Sequence, residues 1–200
     1  IMSGPYTGTY GSFTAFYNVT TKSPLTGGIL SAHSGGHWGP ILRKTGYDGI
    51  VFKGKAPKPV YLLLTDAGPE LRDASDLWGK DVFETTKTLQ ARHEKAKATV
   101  IGPGGERLVR YAAIMNDMHR AAGRGGVGAV MGSKNLKALV VKHQPLDKPA
   151  DPEGLKTLTS NIKERIAANE DMVGLSKTGT AGSLDYYGAG GFLPAGRRRG

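Results

Sequence analysis

Short apolar runs broken by glycine and proline dominate the first three-quarters of the chain, a pattern that predicts β-rich structure with few helices. The runs predict strands over Tyr17–Thr21, Gly49–Lys53, Val60–Thr65, Ala98–Ile101, Arg107–Ile114 and Ala138–Lys142. A helix is predicted from Val82 to His93. Asp81 stands at its N-cap and Glu84 three residues on, while Val82, Phe83 and Leu89 offer a narrow apolar face. Near Lys142 the character changes. The stretch Gln144–Pro152 is punctuated by prolines, and from Glu153 to Asn169 Leu155, Leu158, Ile162 and Ile166 recur at helical spacing. A domain boundary is therefore expected at about residue 144, giving a first domain over 1–143 and the start of a helical domain over 144–200.

The stretch His119–Gly128 carries two arginines and four glycines directly before a helix-like run, Ala129–Lys134. Glycine lets a backbone come close to a ligand, a helix start offers unpaired N–H groups, and arginine presents a planar fork to phosphate oxygens. Together they predict a seat for a phosphorylated ligand. The pattern has an echo. Gly35-Gly36-His37-Trp38-Gly39 also precedes a helix-like run, Pro40–Lys44, and then an apolar segment ending at Lys53. The two loops lie 126 − 36 = 90 positions apart, with 53 − 36 = 17 and 142 − 126 = 16 positions to the ends of the following segments. Two related half-sites facing a common axis are expected from such a repeat.

Composition narrows the partners. Lys and Arg number 27 against 17 Asp and Glu, a net charge of +10. That balance suits nucleic acid, an anionic surface or a phosphate-rich cofactor. No base-stacking aromatic motif accompanies it, so a small anionic ligand ranks above nucleic acid, and a basic nucleic-acid-binding module is the rival from another class. With no cysteine, these residues form no disulfide, cysteine nucleophile or iron–sulfur ligation. No apolar run reaches the ~20 residues of a membrane span, and no signal peptide is seen, so cytoplasm is the expected compartment. His33 and His37 are four apart in a glycine loop without a third ligand, which does not predict a side-chain metal site. Asn116, Asp117, Asp48 and Asp73 are read as turn formers rather than acids. Lys22, Lys134 and Lys137 are read as solvated or as adding positive potential near phosphates.

An ordered set of motifs carries a family resemblance. Ser23-Pro24-Leu25-Thr26-Gly27, Ser34–Gly39, Gly46-Tyr47-Asp48-Gly49-Ile50, Leu77-Trp78-Gly79-Lys80, Ile101-Gly102-Pro103 and Ala113–Asp117 lead to the segment from His119 to Ala138. Over residues 3–143 the chain resembles the amino-terminal domain of tungsten-containing aldehyde ferredoxin oxidoreductases. The resemblance implies an α+β fold whose β-rich base has two sheets related by a pseudo-twofold, followed by a helical domain. It implies a tungsten (or molybdenum) bis-pterin cofactor whose phosphates share a magnesium ion. On the family pattern His33, Ser34 and Gly35 meet one pterin and Arg120, Ala121, Ala122 and Gly123 the other, with the backbone carbonyls of His33 and Ala121 on magnesium. It further implies oxidation of aldehydes to carboxylic acids, with electrons passing through a [4Fe-4S] cluster to ferredoxin. A same-family aromatic acyl-thioester reductase is the alternative within the class. The cluster ligands and acid–base residues are expected beyond this chain, in the remaining domains of a longer protein, so no catalytic side chain is expected here. A homodimer and a small aldehyde substrate are also implied.

Two positions depart from the family pattern. His33 replaces an asparagine, a change that spares a backbone carbonyl. Phe16 replaces an arginine expected between pterin and cluster, and phenylalanine cannot donate to either. Lys177–Ala181 and Gly191–Pro194 still resemble the family, but Gly196–Gly200 does not, so truncation or a frame artefact is expected there rather than a nucleic-acid patch at Arg197–Arg199.

Overall fold

A computed structural model of the chain describes residues 1–9, 11–142 and 149–193. The expected boundary near residue 144 and the arginines at 197–199 lie outside the described residues. Two compact units divide between Pro149 and Ala150.

The first unit is α+β with two sheets. The smaller holds β1 (Met2–Ser3), β2 (Tyr17–Lys22) and β3 (Ile29–Ser34), antiparallel in that order. The larger contains β4 (Val60–Thr65), β5 (Gly68–Asp73), β6 (Lys97–Val100), β7 (Ile114–Asn116), β8 (Arg120–Ala122) and β9 (Leu136–Val141), ordered β5-β4-β9-β6-β7-β8. Only β4 and β9 pair in parallel. Every residue of β9 is buried, as a central strand covered on both faces requires.

Strand alternation divides the core in two. Leu62 and Leu64 of β4 join Leu139 and Val141 of β9 on the face that meets the small sheet. Tyr17, Trp38, Leu42, Val127 and Met131 complete that layer, where the Tyr17 and Trp38 rings lie 4.8 Å apart and Trp38 Nε1 donates to Leu139 O at 2.9 Å. Tyr61, Leu63, Ala138 and Val140 point the other way, onto Leu77 and Leu89. Each fully buried aliphatic side chain contributes about 1.5–3 kcal/mol, so both faces are needed to hold the central strands.

The helices α1 (Trp38–Lys44), α2 (Val82–Arg92), α3 (Pro103–Glu106) and α4 (Val127–Ser133) complete the unit. Asp81 caps α2 as expected, accepting Glu84 N–H at 2.8 Å. Its buried face is Thr85, Thr86 and Leu89, whereas the expected Phe83 is 54% exposed. The second unit contains α5 (Pro152–Ala167), α6 (Glu170–Thr178), a 3₁₀ turn (Gly179–Ser183) and α7 (Leu184–Ala189), none with a buried residue. Leu158 of the expected stripe is 55% exposed, while Leu155, Ile162 and Ile166 are half-buried. Among the described residues no helix is long and apolar enough to cross a membrane.

Two predicted strands are not strands. Residues 49–53 form only one isolated bridge, Met2 to Gly49, because Ile1 and Ser3 take the hydrogen bonds of Ile50 and Asp48 and no second partner extends the ladder. Residues 107–113 turn instead, with Leu108 at φ 59°, and only Ile114–Asn116 pairs. The turn formers Asp48 and Asp73 do shape local structure. Asp48 pairs with Arg43, while Asp73 accepts Ser75 N–H at 2.7 Å and pairs with Lys58, which hold its carboxyl down at about 2.

Helices α3 and α4 meet through glycine. A Cβ on Gly132 would collide with the Gly105 carbonyl, and one on Gly105 would sit 3.0 Å from Gly128 O. Gly104, by contrast, faces open space. Gly132→Ala is therefore expected to lower stability by about 1–3 kcal/mol, while Gly104→Ala is neutral or gains up to about 1 kcal/mol. Thermal melts of the two full-length variants check this, and equal melting temperatures would contradict it.

Candidate cofactor-binding site

β3 and β8 are the outermost strands of their respective sheets, and they pack against one another. His33–Gly35 and Arg120–Gly123, 87 positions apart by 120 − 33, are thereby brought side by side. A Cβ on Gly36 would lie 3.3 Å from Arg120 Cγ. His33, Arg120, Ala121 and Gly123 are exposed, Gly35 is half-buried and Ser34 is buried. An unpaired strand edge presents alternating carbonyls and N–H groups. Such an edge suits a hard cation through the first and anionic oxygens through the second.

One side chain organises this meeting point. Asn116, 1% exposed at the end of β7, makes four hydrogen bonds. Its Oδ1 accepts from Ser34 Oγ at 2.7 Å and from Tyr17 OH at 3.1 Å. Its Nδ2 donates to Gly35 O at 2.9 Å and to Asp117 Oδ2 at 3.1 Å. Two donors and two acceptor lone pairs exhaust the amide. Burial pushes the Tyr17 hydroxyl above its usual range, which keeps it protonated and able to donate.

The neighbouring Asp117 and Met118 turn the β7–β8 hairpin with φ of 49° and 64°. Left-handed backbone is tolerable for aspartate and uncommon for methionine, so the turn holds local strain. Asp117 Oδ2 accepts His37 N–H at 2.6 Å and lies 3.5 Å from His37 Nδ1. The expectation of a turn residue holds for Asp117, whereas Asn116 ends β7 as a buried strand residue, and both fasten the first glycine loop.

The reciprocal contact comes from the β2–β3 hairpin. Ser23, buried in its turn, donates to Gly125 O at 2.7 Å, while Leu30 and Pro24 fill the space beside Gly125 and Gly126. Each hairpin thus docks its turn end on the other's glycine loop. Both loops are followed by a seven-residue helix, α1 or α4. The echo in the sequence corresponds to this hairpin–loop–helix unit, although no strand follows α1 as β9 follows α4.

The glycines themselves require a correction. Their pattern in the sequence predicts room for a ligand. The structure fills them with protein instead: Gly36 meets Asp117, Gly125 meets Leu30, Gly126 meets Arg110 O and Gly128 meets Ala113 O. Of the glycines in these two loops, only Gly123 has no neighbour closer than 3.8 Å. The start of α4 is also closed, since Val127, Gly128 and Ala129 are buried and Gly128 N–H is bonded to Ala112 O at 2.8 Å. A ligand seat here consists of the exposed strand ends, not of the helix terminus.

Lys137 is corrected too. It is not solvated but fully buried. Lys134 donates to Gly54 O at 3.0 Å. His33 Nδ1 lies 3.2 Å from Asn18 Nδ2 across the β2–β3 register, so the His33 and His37 side chains are occupied separately. Phe16, 53% exposed, lays its ring edge 3.5 Å from a Cβ position on Gly35. Sequence reading missed β3 and β8 as strands, and with them the sheet edges that define the site.

This is an α+β domain whose two sheets meet edge to edge beneath reciprocal turns. Residues 1–143 match the family model of the aldehyde ferredoxin oxidoreductase N-terminal domain, and the chain belongs to that family. The tungsten-containing aldehyde ferredoxin oxidoreductase of Pyrococcus furiosus is 48% identical over 200 residues, covering 97% of this chain and 33% of the relative. The aliphatic sulfonate oxidoreductase WOR-like subunit of the same organism is 41% identical over 173 residues, 79% of this chain and 27% of the relative. Among solved structures, the active site complex BamBC of benzoyl coenzyme A reductase, in complex with 1,5-dienoyl-CoA, superposes with a TM-score of 0.80 at 37% identity. That match covers 85% of this chain and 26% of the other. The chain spans about a third of the length of the P. furiosus aldehyde oxidoreductase.

Asn116→Ala would remove the amide's bonds to Tyr17, Ser34 and Gly35 and leave only the longer contacts Tyr17 OH to Thr99 Oγ1 at 3.3 Å and Ser34 Oγ to Gly35 O at 3.4 Å, at a cost of about 1–3 kcal/mol. A clearly lower melting temperature of the cofactor-free full-length protein is expected. An unchanged one would mean that the network does not hold the two loops.

Proposed function

We propose that this chain is the cofactor-holding part of an oxidoreductase that converts aldehydes to carboxylic acids and passes the electrons to ferredoxin. The cofactor is a tungsten (or molybdenum) bis-pterin, and its metal supplies the two-electron chemistry when bound. The single observation that carries this reading is the side-by-side placement of the β3 and β8 edges at His33–Gly35 and Arg120–Gly123. The donor set fits such a group. The backbone carbonyls of His33 and Ala121 are hard oxygen ligands suited to a magnesium ion between the two pterin phosphates. Arg120, exposed on β8, offers a guanidinium fork to a phosphate or pterin oxygen, a charge-assisted contact. Ser34 and Gly35 hold the opposite edge in place through Asn116.

The protein's contribution in this segment is position and electrostatics. A [4Fe-4S] cluster, its ligands and the acid–base groups belong to the rest of a longer polypeptide, so residues 1–200 alone are expected to be inactive. Arg43, Lys58, Arg72, Arg92 and Lys137 are each tied to a carboxylate within the fold, which leaves the net charge of +10 unchanged. An acyl-thioester reductase with the same cofactor is the second reading, favoured by the likeness to the benzoyl coenzyme A reductase complex.

The native full-length protein, purified without oxygen, is expected to contain tungsten or molybdenum with pterin and magnesium, and to reduce ferredoxin with an aldehyde. Arg120→Ala is expected to lower pterin retention and to cost about 1.5–3 kcal/mol of cofactor binding, the scale of a hydrogen bond to a charged group. Protein with iron but neither metal nor pterin would overturn the reading. Reduction of an aromatic acyl thioester without aldehyde oxidation would select the second.

A further inference from the structure

Lys137 is a buried cation that the cofactor seat does not use. The β4–β9 ladder shifts register beside it, pairing Val60 with Leu136 but Tyr61 with Ala138, and so leaves Lys137 as the extra residue of a bulge. Its Nζ donates to Glu106 Oε1 at 2.5 Å and to Lys80 O at 2.8 Å. Glu106 Oε2 accepts Gly79 N–H at 2.8 Å. The Lys137 and Glu106 side chains are 0% and 4% exposed. Three separate segments, β9, α3 and the loop before α2, are therefore tied at one point. Desolvation lowers the Lys137 pKa while Glu106 opposes that shift, so burying this charge carries a real cost. An apolar pair of equal volume is often as stable as a buried ion pair or more so, which makes stability alone a poor reason for it. What hydrogen bonds add is direction.

That direction leads to the second loop. Glu106 ends α3, and the adjacent Gly105 lies in backbone contact with Gly128 and Gly132 of α4. Gly128 in turn is bonded to Ala112 and closed against Ala113, which leads into β7 and the hairpin bearing Arg120–Ala122. Glycine contacts of this kind leave no compressible side chain between the elements, so a displacement at α3 is transmitted. We infer that the Lys137–Glu106 pair is a positioning device that registers the Arg120–Gly123 edge against the His33–Gly35 edge by locking α3 to β9. The inference rests on the cofactor reading above for its consequence, but not for its structural content.

The test is Lys137→Met combined with Glu106→Met in the full-length protein, which removes both charges and leaves Gly79 N–H and the Lys80 carbonyl to be met by water. The cofactor-free variant is expected to melt like the parent, while the loaded variant loses tungsten and pterin on dilution about tenfold faster, the scale seen for outer-shell partners of metal sites. Parent-like retention at parent-like melting overturns the inference. If the double variant fails to fold, Glu106→Asp keeps the charge and shortens the arm. Amide hydrogen exchange in the cofactor-free chain is then expected to run several-fold faster across residues 119–126, and unchanged exchange there overturns the inference. This second measurement needs no cofactor. A protein that holds no pterin would defeat the proposed function and leave the exchange result to decide the positioning role by itself.

Discussion

The four hydrogen bonds of Asn116 are the constraint on which the rest of the site depends. A buried amide with every donor and acceptor used has one orientation, and that orientation fixes Gly35, Ser34 and Tyr17 relative to the β7–β8 turn. The two sheets belong to different parts of the chain, and their shared apolar layer, from Leu62 and Leu139 to Tyr17 and Trp38, has no directional preference of its own. Apolar burial holds the sheets together. The polar hub, with Ser23 fastening Gly125 at the opposite corner, sets the register in which their edges meet.

Much of what is distinctive in the sequence proves to be framework. The Leu77-Trp78-Gly79-Lys80 motif buries Leu77 and supplies the backbone groups that receive Glu106 and Lys137. Ser23-Pro24 closes on the second loop, and Gly128 and Gly132 exist for the approach of α3 and the segment before β7. The surface left for a ligand is small by comparison: two strand ends, one guanidinium and open backbone at Gly123. This division agrees with the proposed role of holding a cofactor largely through the backbone.

The legible parts of the fold were those in which burial imposes a period. The run Val60–Thr65 and the apolar run Ala138–Val141 of β9 announce central strands, and Asp81 announces the start of α2 through its cap. The edges were not legible. β3 reads Ile-Leu-Ser-Ala-His-Ser with Ile29 exposed and only Ala32 and Ser34 buried, and β8 has three residues. A strand with one partner and one solvated face leaves little hydrophobic signal. The glycines were misread for a related reason. Glycine records that something comes close, and a sequence cannot say whether that neighbour is a ligand or the chain's own backbone. Lys137 was lost because β9 is covered on both faces, so that even its one charged residue lies in the interior.

The site residues themselves, His33–Gly35 and Arg120–Gly123, came from family resemblance, and the structure gives them a common location. The most direct check is a crystal structure of the loaded full-length protein with anomalous data collected at the tungsten or molybdenum edge. The account predicts the heavy-metal peak beside the facing edges of β3 and β8, with pterin phosphates and a magnesium ion against the His33 and Ala121 carbonyls. A metal whose pterins contact neither edge would contradict it.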